Sequence, residues 1–226
     1  MYFQAVDASG RAVQSMRSVT YLQPGERRGC VGCHEPSGTT PAVRSALAAR
    51  RGPSPITPGP DGTRPFCYTR LVQPVLDRHC VRCHDGTEKG DKSNLPRSGP
   101  TTLRAVPGAS HKLDLSPFSA PVLTGEPLDT FTRSYESLRP FVRWYEWTGN
   151  SIGYVITRPG QCGADASRLC KILDDPTHAG QVKLTDAERR RLYVWLDGNA
   201  PFYGVYGEEA LHAQQRGQTV PVPEVQ

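Results

Sequence analysis

Two stretches of this chain, Cys30-Val31-Gly32-Cys33-His34 and Cys80-Val81-Arg82-Cys83-His84, repeat one arrangement: two thiols three positions apart with an imidazole directly after the second. On a helical turn that spacing lets both thiols reach the two vinyl groups on one edge of a porphyrin, and the next residue, histidine, falls beneath the iron as an axial ligand. The pattern occurs twice in a chain with only seven cysteines and six histidines. The sequence therefore predicts two covalently bound haem c groups, held by Cys30, Cys33, Cys80 and Cys83, with His34 and His84 on the irons.

Two other chemistries compete for paired C-x-x-C motifs. Zinc ribbons separate their pairs by about 15–20 residues, whereas a long Pro-rich stretch lies between Cys33 and Cys80, and each pair here is followed at once by histidine. A thioredoxin-like redox pair fits less well, because no βαβ pattern surrounds either motif.

A second ligand for each iron has to come from elsewhere in the chain. Around the second motif the order is helix, C-x-x-C-H, long loop, histidine, then a C-terminal helix with aromatics, which looks like a mono-haem cytochrome c. His178, in Asp175-Pro176-Thr177-His178, holds the place from which such a layout presents its distal ligand. The alternative for His178 is a surface histidine in a loop. For the first haem, His79, His111, His212 and Met16 remain. His79 directly precedes Cys80 and is placed to ligate a neighbouring haem; His111 lies in the loop containing Lys112-Leu113-Asp114-Leu115; an open site is equally compatible. Met16 reads as a strand residue and His212 as exposed.

These candidates must be positioned by a chain that is unusually interrupted. It has 226 residues, of which 22 are Gly and 21 are Pro, and only 37% are hydrophobic, so loops must be long and a bound macrocycle would supply core that the side chains do not. Tyr2–Val6 and Ala12–Leu22 alternate about the turn Asp7-Ala8-Ser9-Gly10 and predict a β-hairpin. Thr40-Pro41 reads as a helix start closed by Gly52, and Pro53, Pro55, Pro58 and Pro60 make an irregular linker. Helical patterns follow at Tyr68–His84, with Pro74 in the first turn, at Tyr135–Trp147 and at Ala166–Leu173. The sharpest signal is the capping box Thr185-Asp186-Ala187-Glu188, ahead of Leu192, Trp195 and Leu196 on one face and Gly198 at the stop. Between them, residues 85–129 are rich in Gly, Pro, Ser and Thr, a length suited to wrapping a haem edge.

The expected fold is mainly α, loop-rich and cytochrome c-like around the haems, with a small N-terminal β-hairpin. Its expected parts are residues 1–66, hairpin and first haem region; 67–206, the second haem domain; and 207–226, an extended tail. Of the remaining cysteines, Cys162 and Cys170 are close enough in sequence for a small disulfide in an oxidising compartment, which leaves Cys67 over.

A net charge of +5, with basic residues scattered among acidic ones, gives nucleic-acid binding little support; a basic rim suits an acidic redox partner instead. No run approaches the roughly 20 apolar residues of a membrane span. The opening Met1-Tyr2-Phe3-Gln4 has neither the basic nor the apolar region of a signal peptide. Because covalent haem attachment in bacteria normally takes place outside the cytoplasm, a periplasmic or otherwise extracytoplasmic location is expected, with an export signal or larger upstream region removed.

Three stretches, Gly25–Pro36 about the first motif, Val72–His84 through the second, and Leu192–Gly204, resemble the haem-bearing C-terminal part of large proteins related to the hydrazine synthase alpha subunit, known chiefly from planctomycete-like bacteria. The third stretch is the more particular to that family. The resemblance implies a bis-histidine electron-transfer haem at the second motif, on His84 and His178. It also implies that the first haem is a catalytic one, which in hydrazine synthase takes a tyrosine shortly after its motif. Glu35–Thr40 contains no tyrosine, a departure that favours His34 as an ordinary ligand.

Two functions follow. The leading one is a dihaem c-type cytochrome that passes single electrons between redox partner proteins, alone or within a larger complex or oligomer. The alternative is a haem-containing oxidoreductase or enzyme subunit whose first haem is open to a small nitrogen or oxygen ligand, as in hydrazine synthase-like chemistry. No general acid or base stands out for the second reading.

Overall fold

The computed structural model describes residues 2–17, 21–23, 25–26, 36, 38–39, 50–52, 55, 57–60, 62, 64–85, 121–128, 130–145 and 158–219. The first motif, Cys30–His34, the helix start at Thr40-Pro41, and His111 lie outside the described residues.

The hairpin forms where alternation and turn chemistry predict it. Strands β1 (Tyr2–Val6) and β2 (Ala12–Arg17) pair antiparallel, Phe3 opposite Met16 and Gln4 opposite Ser15. The Asp7 carboxylate accepts the backbone N–H groups of Ser9 and Arg11 at 2.9 and 3.0 Å, the local bonding that makes Asp a turn former. The described part of β2 runs to Arg17, which pairs with Tyr2, and Tyr21 and Leu22, expected to belong to the strand, lie outside it.

The hairpin's inward face is polar. Gln4 donates to the Asp197 carbonyl at 2.9 Å, the Ala12 N–H donates to the Asp197 carboxylate at 2.9 Å, and the Ser15 and Tyr145 hydroxyls meet at 2.8 Å. Phe3, Val13 and Met16 face outward and are exposed. The hairpin, which the sequence groups with the first motif, is thus hydrogen-bonded into the unit that carries the second.

That unit is helical. A single helix is expected over Tyr68–His84, but the chain makes α1 (Tyr68–Leu71) and α2 (Gln73–His79), joined at Val72. Pro74 lacks the N–H that would reach the Arg70 carbonyl, so one helix cannot run through it. Pro140 acts likewise on the segment expected to be helical from Tyr135 to Trp147: α3 spans Arg133–Leu138, one 3-10 turn covers Arg139–Phe141, and Val142 is extended. The helix expected over Ala166–Leu173 forms as α5 (Arg168–Asp174), and a separate short helix, α4 (Gly163–Ala166), precedes it across Ser167. The Ser167 hydroxyl donates to the Gly163 carbonyl at 2.5 Å and accepts the Arg143 N–H at 2.9 Å, side-chain bonds that compete with helix continuation.

Two further helices occupy stretches expected to be loop or extended tail. In α6 (Pro176–Gln181) Asp175 caps the Thr177 N–H and proline takes the first helical position. Helix α8 (Glu208–Gln215) corrects the extended tail expected from residue 207. Its fastening is polar rather than apolar: the Gln214 carbonyl accepts the Thr69 hydroxyl at 2.5 Å and the Cys67 thiol at 3.4 Å, and the Gln214 side chain accepts the Gly204 N–H at 3.0 Å. Gly204 cannot be replaced cheaply, since a Cβ there would meet the Phe66 backbone at 2.4 Å.

Between them runs α7 (Asp186–Asp197), with the expected capping box formed in both directions by Thr185 and Glu188. Tyr68, Leu71, Val72, Val75 and Leu76 from α1 and α2 bury against Leu192, Tyr193, Trp195 and Leu196 of α7, with Tyr135, Leu138 and Phe202 closing the core. Aromatic rings carry much of this contact: Tyr68 lies edge-on to Tyr135 at 5.1 Å, tilted to Trp195 at 5.3 Å and stacked on Phe202 at 5.5 Å, separations at which such pairs attract.

Cys170, on α5, is 1% exposed and a free thiol, so the disulfide expected between Cys162 and Cys170 is not formed. Cys162 stands at the N-cap position of α4, while Cys170 is turned into the core. No helix among the described residues is long and apolar enough to cross a membrane.

Candidate functional site at the second motif

The second motif begins where α2 ends. The Cys80 N–H still donates to the Leu76 carbonyl at 2.7 Å; the Cys83 and His84 N–H groups then both donate to the Cys80 carbonyl at 3.0 Å. Cys80 and Cys83 therefore sit at the two ends of one helical turn, with His84 one residue further on. Both thiols are free and half-buried. Cys80 and Val81 pack against the core, while Arg82 faces solvent.

The far end of the long loop returns to this turn. The Leu123 N–H donates to the His84 carbonyl at 2.8 Å, and the Leu123 carbonyl accepts the Gln73 side-chain amide at 3.1 Å. Gln73, 6% exposed, also accepts the Ser134 hydroxyl at 2.5 Å and donates to Asp77 at 2.7 Å. One buried amide thus ties α2, which precedes the motif, to the chain that follows it. Nothing in the sequence marks Gln73 for this role except that a helix-face glutamine lies among apolar neighbours.

The turn meets the steric demand of thioether attachment, two sulfurs one helical turn apart at the edge of an apolar core. Burial pushes the Cys80 thiol up to about 11, opposed by the charge of Arg82. That environment favours the uncharged thiol over the thiolate in the free chain. Among the described residues no three His, Cys, Asp or Glu side chains converge as a metal-binding group.

Of the histidines named from sequence, the structure places His79 against α7. Its Nε2 lies 3.0 Å from Glu188 Oε1, and the Arg78 guanidinium donates to the same oxygen at 2.6 Å. Ligating an iron through Nε2 would require His79 to give up Glu188. His178 lies half-buried on α6. That helix is brought to the motif by Arg82, whose Nη2 donates to the Gln181 carbonyl at 2.5 Å. His212 is exposed on α8, and Met16 is 40% exposed on β2.

Glu188 has two tasks, of which the sequence signals one. Oε2 accepts the Thr185 N–H and hydroxyl, both at 2.9 Å, and Oε1 holds the end of α2. The Thr185 N–H is the largest cause of a carboxyl held down to about 2 from its ordinary 4.5; burial opposes this, while His79, the Thr185 hydroxyl and Arg78 add to it. A folded-state value below the unfolded one adds stability that is complete above about pH 4.5 and is lost as the pH falls toward 2. Glu188→Gln is therefore expected to destabilise the folded chain by about 1–2 kcal/mol at neutral pH, with the gap to the wild type narrowing in acid. Denaturant midpoints at neutral pH and at about pH 3 check this; a gap that does not change with pH would show that the charge of Glu188 plays no part.

Residues 1–35, which take in the hairpin and the first motif, match the family model of the hydrazine synthase alpha subunit middle domain. No curated protein and no solved structure matches the chain.

Proposed function

We propose that this chain is a dihaem c-type cytochrome that passes single electrons between redox partner proteins outside the cytoplasm. One haem c would be held by Cys30 and Cys33 with His34 as axial ligand, and the other by Cys80 and Cys83 with His84. The observation that carries the reading is the Cys80–His84 turn: two free, half-buried thiols one helical turn apart on the edge of the apolar core, with an imidazole next in the chain. When bound, haem supplies one-electron chemistry at an iron that alternates between its ferrous and ferric forms.

The protein's own residues set how that chemistry is used. Leu76, Val81 and Leu123 offer apolar contact on the core side of the turn, and Arg82 leaves positive charge on its outer side. Apolar burial favours the less charged oxidation state, and exposed cations favour approach by an acidic partner. His178 on α6 is the proposed distal ligand of the second haem; two imidazoles would give a lower potential than imidazole with methionine.

A second reading keeps its own observation. The match to the hydrazine synthase alpha subunit middle domain runs through Cys30–His34, and so favours an enzyme-derived first haem site, open to a small ligand, within a haem-containing oxidoreductase or a subunit of one. Reduced spectra with and without carbon monoxide divide the two. Two low-spin haems indifferent to carbon monoxide support the electron carrier; one haem per chain that binds it, unaltered by substitution of His178, moves the first site toward catalysis.

A further inference from the structure

Helix α6 has an anchoring problem. Among its six residues none is buried, and Pro176, Thr177, Gly180 and Gln181 are all exposed. A helix this short, without an apolar face in the core, does not hold its place by burial or by propensity. Its N-terminus is capped locally by Asp175, which orders the first turn but does not attach it to anything distant. Its C-terminus carries the unpaired carbonyls and partial negative charge common to helix ends, which bind cations and N–H donors well.

Arg82 supplies that donor. It is one of the two residues between the attachment cysteines, so its Cα is fixed by the turn in which the Cys83 and His84 N–H groups close on the Cys80 carbonyl. Its side chain leaves the turn and donates through Nη2 to the carbonyl of Gln181, the last residue of α6, at 2.5 Å. Gln181 and His178 are three positions apart and so lie on the same side of the helix.

We infer that Arg82 is a positioning residue for His178: by clamping the end of α6 to the attachment turn, it keeps the helix that carries this imidazole against the turn that would hold the haem. The inference rests on the proposed reading of His178 as distal ligand. The clamp ties the end of α6 to the attachment turn, so the segment that would hold the haem and the helix that carries His178 are linked directly. A distal ligand on an unanchored helix would spend part of its time away from the iron, and carbon monoxide would bind in those intervals.

The test uses the full-length holoprotein with both motifs loaded, and compares Arg82→Met, Arg82→Lys and His178→Ala with the wild type. Methionine keeps the apolar stem without a donor; lysine restores one charged donor; the position is exposed, so folding is preserved. His178→Ala is expected to add one carbon monoxide-binding haem per chain. Arg82→Met is expected to raise the rate of carbon monoxide binding at that haem about fivefold, roughly the worth of one hydrogen bond, to shift its potential upward, and to be largely rescued by Arg82→Lys. If His178→Ala opens the site while Arg82→Met leaves the binding rate and potential at wild-type values, the clamp is overturned and the ligand assignment stands. If His178→Ala leaves spectrum and carbon monoxide binding unchanged, the ligand assignment fails and the clamp with it.

Discussion

A chain with Cys80→Ala and Cys83→Ala, produced alongside a periplasmic haem-attachment apparatus, is expected to carry one covalent haem where the wild type carries two. The expectation follows from the turn itself. Cys80 and Cys83 are one helical turn apart and both free, while Cys67 is hydrogen-bonded to Thr69 and the Gln214 carbonyl and Cys170 is sealed in the core. Loss of attachment is therefore complete rather than graded. Cys80→Ala alone leaves one thioether site and is expected to lower occupancy partly, with the α-band displaced because one vinyl group remains free. Haem content by pyridine haemochrome, set against protein mass, reads both outcomes. Unchanged haem content in the double variant would remove the second motif from the account.

The second large effect is on stability. Asp197→Ala is expected to destabilise the folded chain by about 3 kcal/mol, because it leaves two buried N–H groups without an acceptor. Asp197 is 5% exposed, and its carboxylate accepts the Ala12 N–H at 2.9 Å and the Ala164 N–H at 2.7 Å. Those two bonds draw the hairpin and α4 onto the end of α7. Burial raises the Asp197 carboxyl above its ordinary value, opposed by the same two N–H groups and by Arg11. Gly163 is fitted around this side chain: its φ is +68° and a Cβ would meet Asp197 Oδ1 at 2.3 Å, so Gly163→Ala should weaken the same junction. Asp197→Asn offers one oxygen for two donors and is expected to fall between alanine and the wild type. Denaturant titrations of the three variants give the order. An alanine variant within about 0.5 kcal/mol of the wild type would mean that the hairpin does not depend on α7.

Much of this could be read in the sequence where local chemistry decides structure. The Asp7–Gly10 turn and the Thr185–Glu188 capping box are made by neighbouring residues, and both form as their residue types dictate. The helix ends were harder, because Pro74 and Pro140 mark a break without saying on which side the helix survives, and Ser167 separates α4 from α5 only through its bonds to the distant Arg143 and Gly163. For α6 the local signal is Asp175-Pro176, an N-cap followed by proline, while the polar residues and Gly180 after it supply no apolar period. Helix α8 gives almost no apolar signal, since it is fastened by Gln214.

The candidate site divides in the same way. Cys80, Cys83 and His84 are legible because covalent attachment demands a fixed spacing, whereas the residues that hold them are not. Gln73, Glu188 and Arg82 act on carbonyls, amides and carboxylates distant in sequence, and bonds of that kind leave no periodic pattern. His79 illustrates the limit: its place beside Cys80 suggests a ligand, but in the fold it is held by Glu188.

The most direct measurement is the denatured mass of the holoprotein, followed by peptide mapping of the two motifs. The account predicts a chain heavier by two haems, with one on the peptide containing Cys30 and Cys33 and one on the peptide containing Cys80 and Cys83. Bare motif peptides from a chain matured with active haem attachment, or bound zinc in place of haem, would contradict it.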